Sequence, residues 1–248
     1  MSFDNQNIWI IGASSGIGKE LAIQLDALGA KLILTARNKD KLNELNKQLN
    51  NKHSVEALDV SNHSDVKKVS KHIIKNHDSV DRIIFLPALY KPDSIENMNL
   101  KFMSDLVDVN LKSVFYITNE ALKIFNKQKF GQIAICGSVA GYTGLANGQP
   151  YSATKAAIIN FAESLYLESP KYIDVKLISP GFVKTPMTDK NKFKMPMIVS
   201  PQKAAKFIID GLNKNKFEIH FPKTFTFLLK IVSILPYTIK FYVTKNFR

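Results

Sequence analysis

The sequence contains a single cysteine, Cys136, which excludes an internal disulfide and leaves too few thiols for a zinc-ribbon site. No metal is expected, and a reducing compartment, the cytoplasm, is the natural home for such a chain. The first residues are polar and run straight into an apolar strand, without the basic and then apolar regions of a secretory leader. Arginine is scarce as well, confined to Arg37, Arg82 and Arg248. The formal net charge of +13 therefore comes from lysines spread along the chain, and no arginine and aromatic platform for stacking single strands is visible. Such a surface reads as solvated, and no nucleic-acid partner is expected. Repeats and low-complexity linkers are missing too. The 248 residues divide into one domain, 1–222, and a distinct apolar, basic tail, 223–248.

What the chain does have is the material for a core. Hydrophobic residues make up 45% and charged residues 22%, the balance of a globular protein. Apolar runs at Ile8 to Ile11, Leu32 to Leu34, Val55 to Leu58, Ile83 to Leu86, Gln132 to Cys136, Val175 to Ile178 and Phe217 to His220 predict strands. Between them, helical spacing predicts helices over 17–28, 40–49, 62–76, 100–127, 151–168 and 201–214. This alternation implies an α/β fold with a parallel sheet, because parallel strands need crossover connections. The strands read as continuous apolar runs, as expected when helices cover both sheet faces.

The first predicted strand ends in Gly12-Ala13-Ser14-Ser15-Gly16-Ile17-Gly18, and a helix follows directly. Glycines there let the backbone approach a pyrophosphate, and the helix N-terminus offers free N–H groups and a favourable dipole to the anion. The spacing is Gly-x3-Gly-x-Gly, which differs from the common dinucleotide fingerprint. The second strand ends in Thr35-Ala36-Arg37-Asn38, without the acidic residue that would hold the ribose of NAD. Arg37 can instead fork onto a 2′-phosphate, so NADP is preferred over NAD. Asp59, beside Val60 at the end of the third strand, is placed to meet an adenine amino group.

Tyr151 and Lys155 stand four apart and share a helix face, thirteen residues after Ser138 at a strand end. A free tyrosine, with a pKa of about 10, is a poor base at neutral pH. A neighbouring ammonium lowers that value and makes proton exchange with an alcohol feasible.

Taken together, the glycine loop, Ser138 and the Tyr151-x-x-x-Lys155 pair resemble the classical short-chain dehydrogenase/reductase family over roughly residues 7 to 220. The resemblance implies a Rossmann-type doubly wound sheet of order 3-2-1-4-5-6-7. It implies Tyr151 as general acid/base, Lys155 on the nicotinamide ribose, and Ser138 orienting the substrate oxygen. Asn110 matches the asparagine that supports a proton-relay water, although an asparagine inside a helix can also satisfy local backbone. The segment Pro180-Gly181-Phe182-Val183-Lys184-Thr185 resembles the one that closes over the nicotinamide, with Val183 contacting the carboxamide through backbone and Thr185 through its hydroxyl. Homodimers or homotetramers built on the 100–127 and 151–168 helices are implied as well. One departure stands out. Phe85-Leu86-Pro87-Ala88 replaces the family's Asn-Asn-Ala-Gly, which removes side chains that brace neighbouring strands and leaves room for a nucleotide-binding protein without turnover.

Beyond Thr185, the variable lid of that family would gain an adaptable apolar lining from Met187, Phe193, Met195 and Met197, unless some are ordinary core contacts of the lid, and the lack of an arginine clamp there suits a small-molecule substrate that is a bulky apolar alcohol or ketone. In the tail, Lys230 and Pro236 interrupt an apolar run that would otherwise approach the roughly 20 residues of a spanning helix. Two readings remain for it: peripheral contact at the inner face of a membrane, or packing on its own domain or on a second subunit.

Overall fold

The computed structural model describes residues 2–191, 193 and 195–245, so Arg248 lies outside the described residues. Strands β1 (Asn7–Ile11), β2 (Lys31–Ala36), β3 (Ser54–Ala57), β4 (Arg82–Phe85), β5 (Gly131–Cys136), β6 (Ile173–Pro180) and β7 (Glu218–Phe221) form one sheet of order β3-β2-β1-β4-β5-β6-β7. Every pairing in it is parallel. This is the doubly wound Rossmann topology. Alternate residues of each strand feed two separate cores: Ile8 and Ile10 pack on one face, Trp9 and Ile11 on the other. Helices α1 (Gly16–Ala27), α2 (Lys39–Gln48) and α7 (Pro201–Leu212) cover the first face through residues such as Leu21, Leu25, Leu42 and Ile208. Helices α3 (His63–Asn76), α5 (Ser113–Gln128) and α6 (Tyr151–Glu168) cover the second through Val66, Ile117 and Ile158.

The helix expected over 100–127 is interrupted. After α4 (Leu100–Val107) the chain makes a π-helical turn at Asp108–Lys112 before α5 begins. Such a turn inserts one residue into the helical ladder and re-aims side chains. Here it holds Asn110, which is fully buried. Asparagine also starts helices in this chain. Asn38, Asn62 and Asn99 each accept the N–H three residues on, contacts worth about 1 kcal/mol apiece. Ser15, before α1, makes no such cap, and the first turn of α1 carries no acidic residue.

The tail does not stand apart from the domain. Helix α8 (Lys223–Ile234) buries Phe225 and Leu229 against Val139, next to the partly buried Tyr142 and Phe182. Helix α9 (Tyr237–Lys245) follows and has no buried residue among those described. None of the described helices is long and apolar enough to cross a membrane.

Candidate active site

A cleft of about 370 Å³ opens where β1, β4 and β5 end, at the point where the strand order reverses. Topology explains the location: in a doubly wound sheet the crossovers leave in opposite directions there and part the loops.

One end of the cleft is made of backbone. Gly12, Ser14, Ser15, Gly16, Ile17 and Gly18 line it. Gly12 and Gly16 adopt φ of +90° and +54°, conformations that an L side chain rarely takes. A Cβ at Gly18 would lie 2.2 Å from the Gly12 carbonyl oxygen, so only glycine lets α1 start this close to the loop. The Gly12 and Ala13 N–H groups donate to the Thr35 carbonyl at 2.8 and 3.2 Å, which ties the loop to β2. The uncapped first turn of α1 then points its N–H groups at the cleft, as an anion site requires. These features fit a dinucleotide pyrophosphate.

Arg37, Asn38 and Lys41 line the cleft at the end of β2. Arg37 makes no ion pair and no side-chain hydrogen bond among the described residues. Lys41, which sequence reasoning missed, adds a second cation one helical turn later; its spacing from Arg37 was the available signal. Asp59 departs from expectation. Leu58 and Val60 are walls of the cleft, whereas Asp59 is exposed and its carboxylate accepts the backbone N–H and hydroxyl of Ser61 at 3.0 and 2.7 Å. An aspartate two residues before a serine closes a local turn more readily than it reaches into a site.

At the other end, Ser138 follows β5, and Tyr151 opens α6. The two are brought together by the turn Val139–Gly141, which presses onto α6. A Cβ at Gly141 would sit 2.6 Å from the Lys155 carbonyl carbon, and Ser152 donates its hydroxyl to the Ala140 carbonyl at 2.6 Å. Lys155 is 1% exposed, and its ammonium donates to the Cys136 carbonyl at 2.7 Å. It lies 5.5 Å from the centre of the Tyr151 ring.

Electrostatically the site differs from expectation. Burial raises the Tyr151 pKa far above that of free tyrosine; a hydrogen bond with Ser138 pulls the other way but does not reverse it. Burial likewise holds Lys155 below the ordinary lysine value. The Lys155 ammonium does not offset that rise, being engaged with the Cys136 carbonyl. The Cys136 thiol is pushed up by burial and is no nucleophile.

Asn110 is not one of the residues that line the cleft. It accepts the Leu89 N–H at 2.7 Å and donates to the Leu89 carbonyl at 2.9 Å and to Thr154 at 3.5 Å. It thereby braces the loop after β4, where Leu86, Pro87 and Ala88 line the cleft. The bracing that the Phe85 to Ala88 departure removes is supplied by Asn110. Pro180, Gly181, Val183 and Thr185 line the cleft as well. Thr188 holds this segment by donating to the Val183 carbonyl at 2.7 Å and accepting the Thr185 N–H at 3.0 Å. The Thr185 methyl packs over Gly16. Of the expected lid residues only Met187 is a wall; Phe193 and Met197 are exposed, and Met195 packs by Asn191. Tyr90 was not foreseen: its ring lies edge-on to Tyr151 at 5.0 Å, and its hydroxyl donates to Asn191 in the lid at 2.6 Å.

The family model for short chain dehydrogenases matches residues 6–195. The chain belongs to the short-chain dehydrogenase/reductase family. It is an oxidoreductase of that family by its relatives. A 3-oxoacyl-(acyl-carrier-protein) reductase of Buchnera aphidicola is 32% identical over 76% of this chain and 78% of its own length. The Salmonella typhimurium enzyme of the same name is 31% identical over 76% and 78%. Solved structures share the fold. A short-chain dehydrogenase/reductase from Burkholderia phymatum, solved with NAD, superimposes with a TM-score of 0.84 at 18% identity, covering 93% of each chain. An actinorhodin polyketide ketoreductase with NADPH gives 0.79 at 23% identity, over 88% of this chain and 96% of that one.

Proposed function

We propose that this short-chain dehydrogenase/reductase uses NADP(H) and reduces an apolar ketone or aldehyde to the alcohol. The observation that carries the reading is the convergence of Ser138, Tyr151 and the buried Lys155 on one end of a cleft whose other end is the Gly12 to Gly18 loop. Ser138 donates to the carbonyl oxygen and polarises it. NADPH, when bound, would supply the hydride, and Gly12 to Gly18 would hold its phosphates. As negative charge develops on the substrate oxygen, Tyr151 hands over its proton, and the alcohol leaves. Lys155, with its ammonium buried behind the ring, stabilises the phenolate that remains and orients the nicotinamide ribose. Arg37 and Lys41 hold the 2′-phosphate. Val183 and Thr185 meet the carboxamide. Names of similar proteins point the same way, since a 3-oxoacyl reductase and a polyketide ketoreductase both act on ketones.

The rest of the proposal concerns the assembly. The chain forms a homodimer or homotetramer through α5 and α6, whose outer faces carry the exposed Phe115, Tyr166 and Leu167. The tail makes peripheral contact with a membrane surface. Titration with NADPH and NADH, read by coenzyme fluorescence, followed by NADPH-linked turnover on a panel of apolar ketones, tests the chemistry. Binding at least tenfold tighter for NADPH, with turnover, is expected. No response to either coenzyme would sink the proposal; binding without turnover of any carbonyl would leave a nucleotide-binding protein.

A further inference from the structure

Helix α8 is apolar on both of its sides. Phe225, Thr226, Leu229 and Val232 are buried against the domain. On the opposite side, Phe227 is 63% exposed and Ile234 82%, with Leu228 and Ile231 exposed between them. Spacing of three to four residues makes these four one continuous stripe. Helix α9 extends the surface with Tyr237, 72% exposed, Ile239, Phe241 and Tyr242. A helix that is hydrophobic all round needs cover on every side, and this one has cover on half.

Charge says what the cover is. Residues 223–245 include Lys223, Lys230, Lys240 and Lys245 and no aspartate or glutamate. Lys230 is engaged with Glu218, and Lys240 lies 5.0 Å above the Tyr237 ring. Lys223 stands on the same side of α8 as Phe227 and Ile231, where the positive end of the helix dipole adds to its charge. Exposed Lys214 and Lys216 crowd the same end. Partial burial, then repulsion from Lys216, Lys230 and Lys214, holds Lys223 below the ordinary lysine value, so an anion there would relieve the strain. A second copy seated on this face by two-fold symmetry would set these lysines against the same lysines, with no aspartate or glutamate in residues 223–245 to pair them.

We propose that the outer face of α8 and α9 docks on an anionic lipid bilayer, with the Phe227, Leu228, Ile231, Ile234, Tyr237 and Phe241 side chains in the interface and Lys214, Lys216, Lys223 and Lys245 on the head groups. Aromatic residues and long lysines suit that depth, because each pairs an apolar body with a polar end. The inner face of α8 meets the catalytic region. Phe225 packs 5.6 Å from the Phe182 ring, which in turn meets the lid at Phe193, 5.7 Å away. A bilayer held by α8 therefore lies beside the lid of the cleft. The inference rests on the membrane reading of the tail and is independent of the reductase chemistry.

Flotation of the full chain with vesicles tests it, using phosphatidylcholine alone and phosphatidylcholine mixed with phosphatidylglycerol. The chain should float with the mixed vesicles and about tenfold less with the neutral ones. Phe227→Ser, Ile231→Ser and Phe241→Ser together should cut flotation on the mixed vesicles by at least about tenfold, with unchanged melting temperature and unchanged turnover of a water-soluble ketone. Lys214→Glu with Lys216→Glu should erase the preference for anionic vesicles. Equal flotation on both vesicle types, or none on either, overturns the proposal. So does a fall in the mass of the vesicle-free protein in the triple variant, which would make the face a contact between copies. Failure of the reductase reading would show as lost turnover with flotation intact.

Discussion

At the phosphate end of the cleft the chain presents backbone, and at the substrate end it presents side chains. Gly12, Gly16 and Gly18 shape the first end by having nothing beyond Cα, and the uncapped start of α1 supplies its donors. Starts capped by Asn38, Asn62 and Asn99 have one donor engaged by a side chain, whereas the start of α1 keeps its donors open beside the cleft. The second end depends on contacts between distant segments: Ser138 with Tyr151, Tyr90 with Asn191, and Phe182 with Phe225. It also depends on the tail. Glu218 accepts the Tyr142 hydroxyl at 2.5 Å and pairs with Lys230, which latches α8 to the turn that follows Ser138. A backbone end tolerates almost no added atom. A side-chain end tolerates variation, which is how one fold serves many substrates.

Tyr151→Phe breaks the substrate end most directly. It should lower NADPH-linked turnover by about a thousandfold, the usual reach of general acid catalysis, while NADPH affinity moves by less than about threefold. Retention of full activity would remove Tyr151 from the chemistry. Next comes Gly18→Ala at the phosphate end. The added methyl meets a carbonyl oxygen, so the fold should lose about 3 kcal/mol and NADPH affinity should fall about a hundredfold, read by denaturant melts and fluorescence titration. Should alanine prove harmless there, the claim that this end is made of backbone is wrong.

Arg37→Ala tests the adenosine rim. A charge-assisted contact to phosphate is worth about 1.5–3 kcal/mol, so NADPH should bind roughly ten- to a hundredfold more weakly while NADH binding stays the same. An unchanged NADPH to NADH ratio removes the assignment of the 2′-phosphate to Arg37.

The smallest effect concerns the latch. Burial pushes the Glu218 carboxyl up, but hydrogen bonds from Lys230 and Tyr142 outweigh it, and the group titrates below its ordinary value of 4.5. The latch therefore contributes its full stability above pH 4.5 and loses it as the pH falls through the lower folded value. Glu218→Gln should cost about 1 kcal/mol at neutral pH and flatten that acid limb of the stability profile. Identical melts for the two proteins across that range would show that α8 is held by apolar packing alone.

The strands and most helices were legible because their signal is local: a buried parallel strand must be apolar throughout, and a covering helix must repeat its apolar residues every three to four positions. Gly12 to Gly18 and the Tyr151 and Lys155 pair were legible for the same reason, being short and contiguous. The π turn at Asp108–Lys112 was hidden, since one inserted residue hardly alters the periodicity of a long helix. The local turn at Asp59 was hidden, because proximity to a strand end does not reveal a hydrogen bond from Ser61. Tyr90 and Lys41 were missed because Tyr90 meets Asn191 and Tyr151 far along the chain, and Lys41 joins the cleft only through the fold.

From residues alone came the α/β architecture and the positions of the Gly12 to Gly18 loop and of Tyr151 and Lys155 on the proposed site, all set by local sequence and backbone sterics. Tertiary structure alone decided how Lys155 is buried, what Asn110 holds and where helix α8 packs. Those depend on desolvation and on contacts between segments far apart in sequence, and neither is written in the order of residues along the chain.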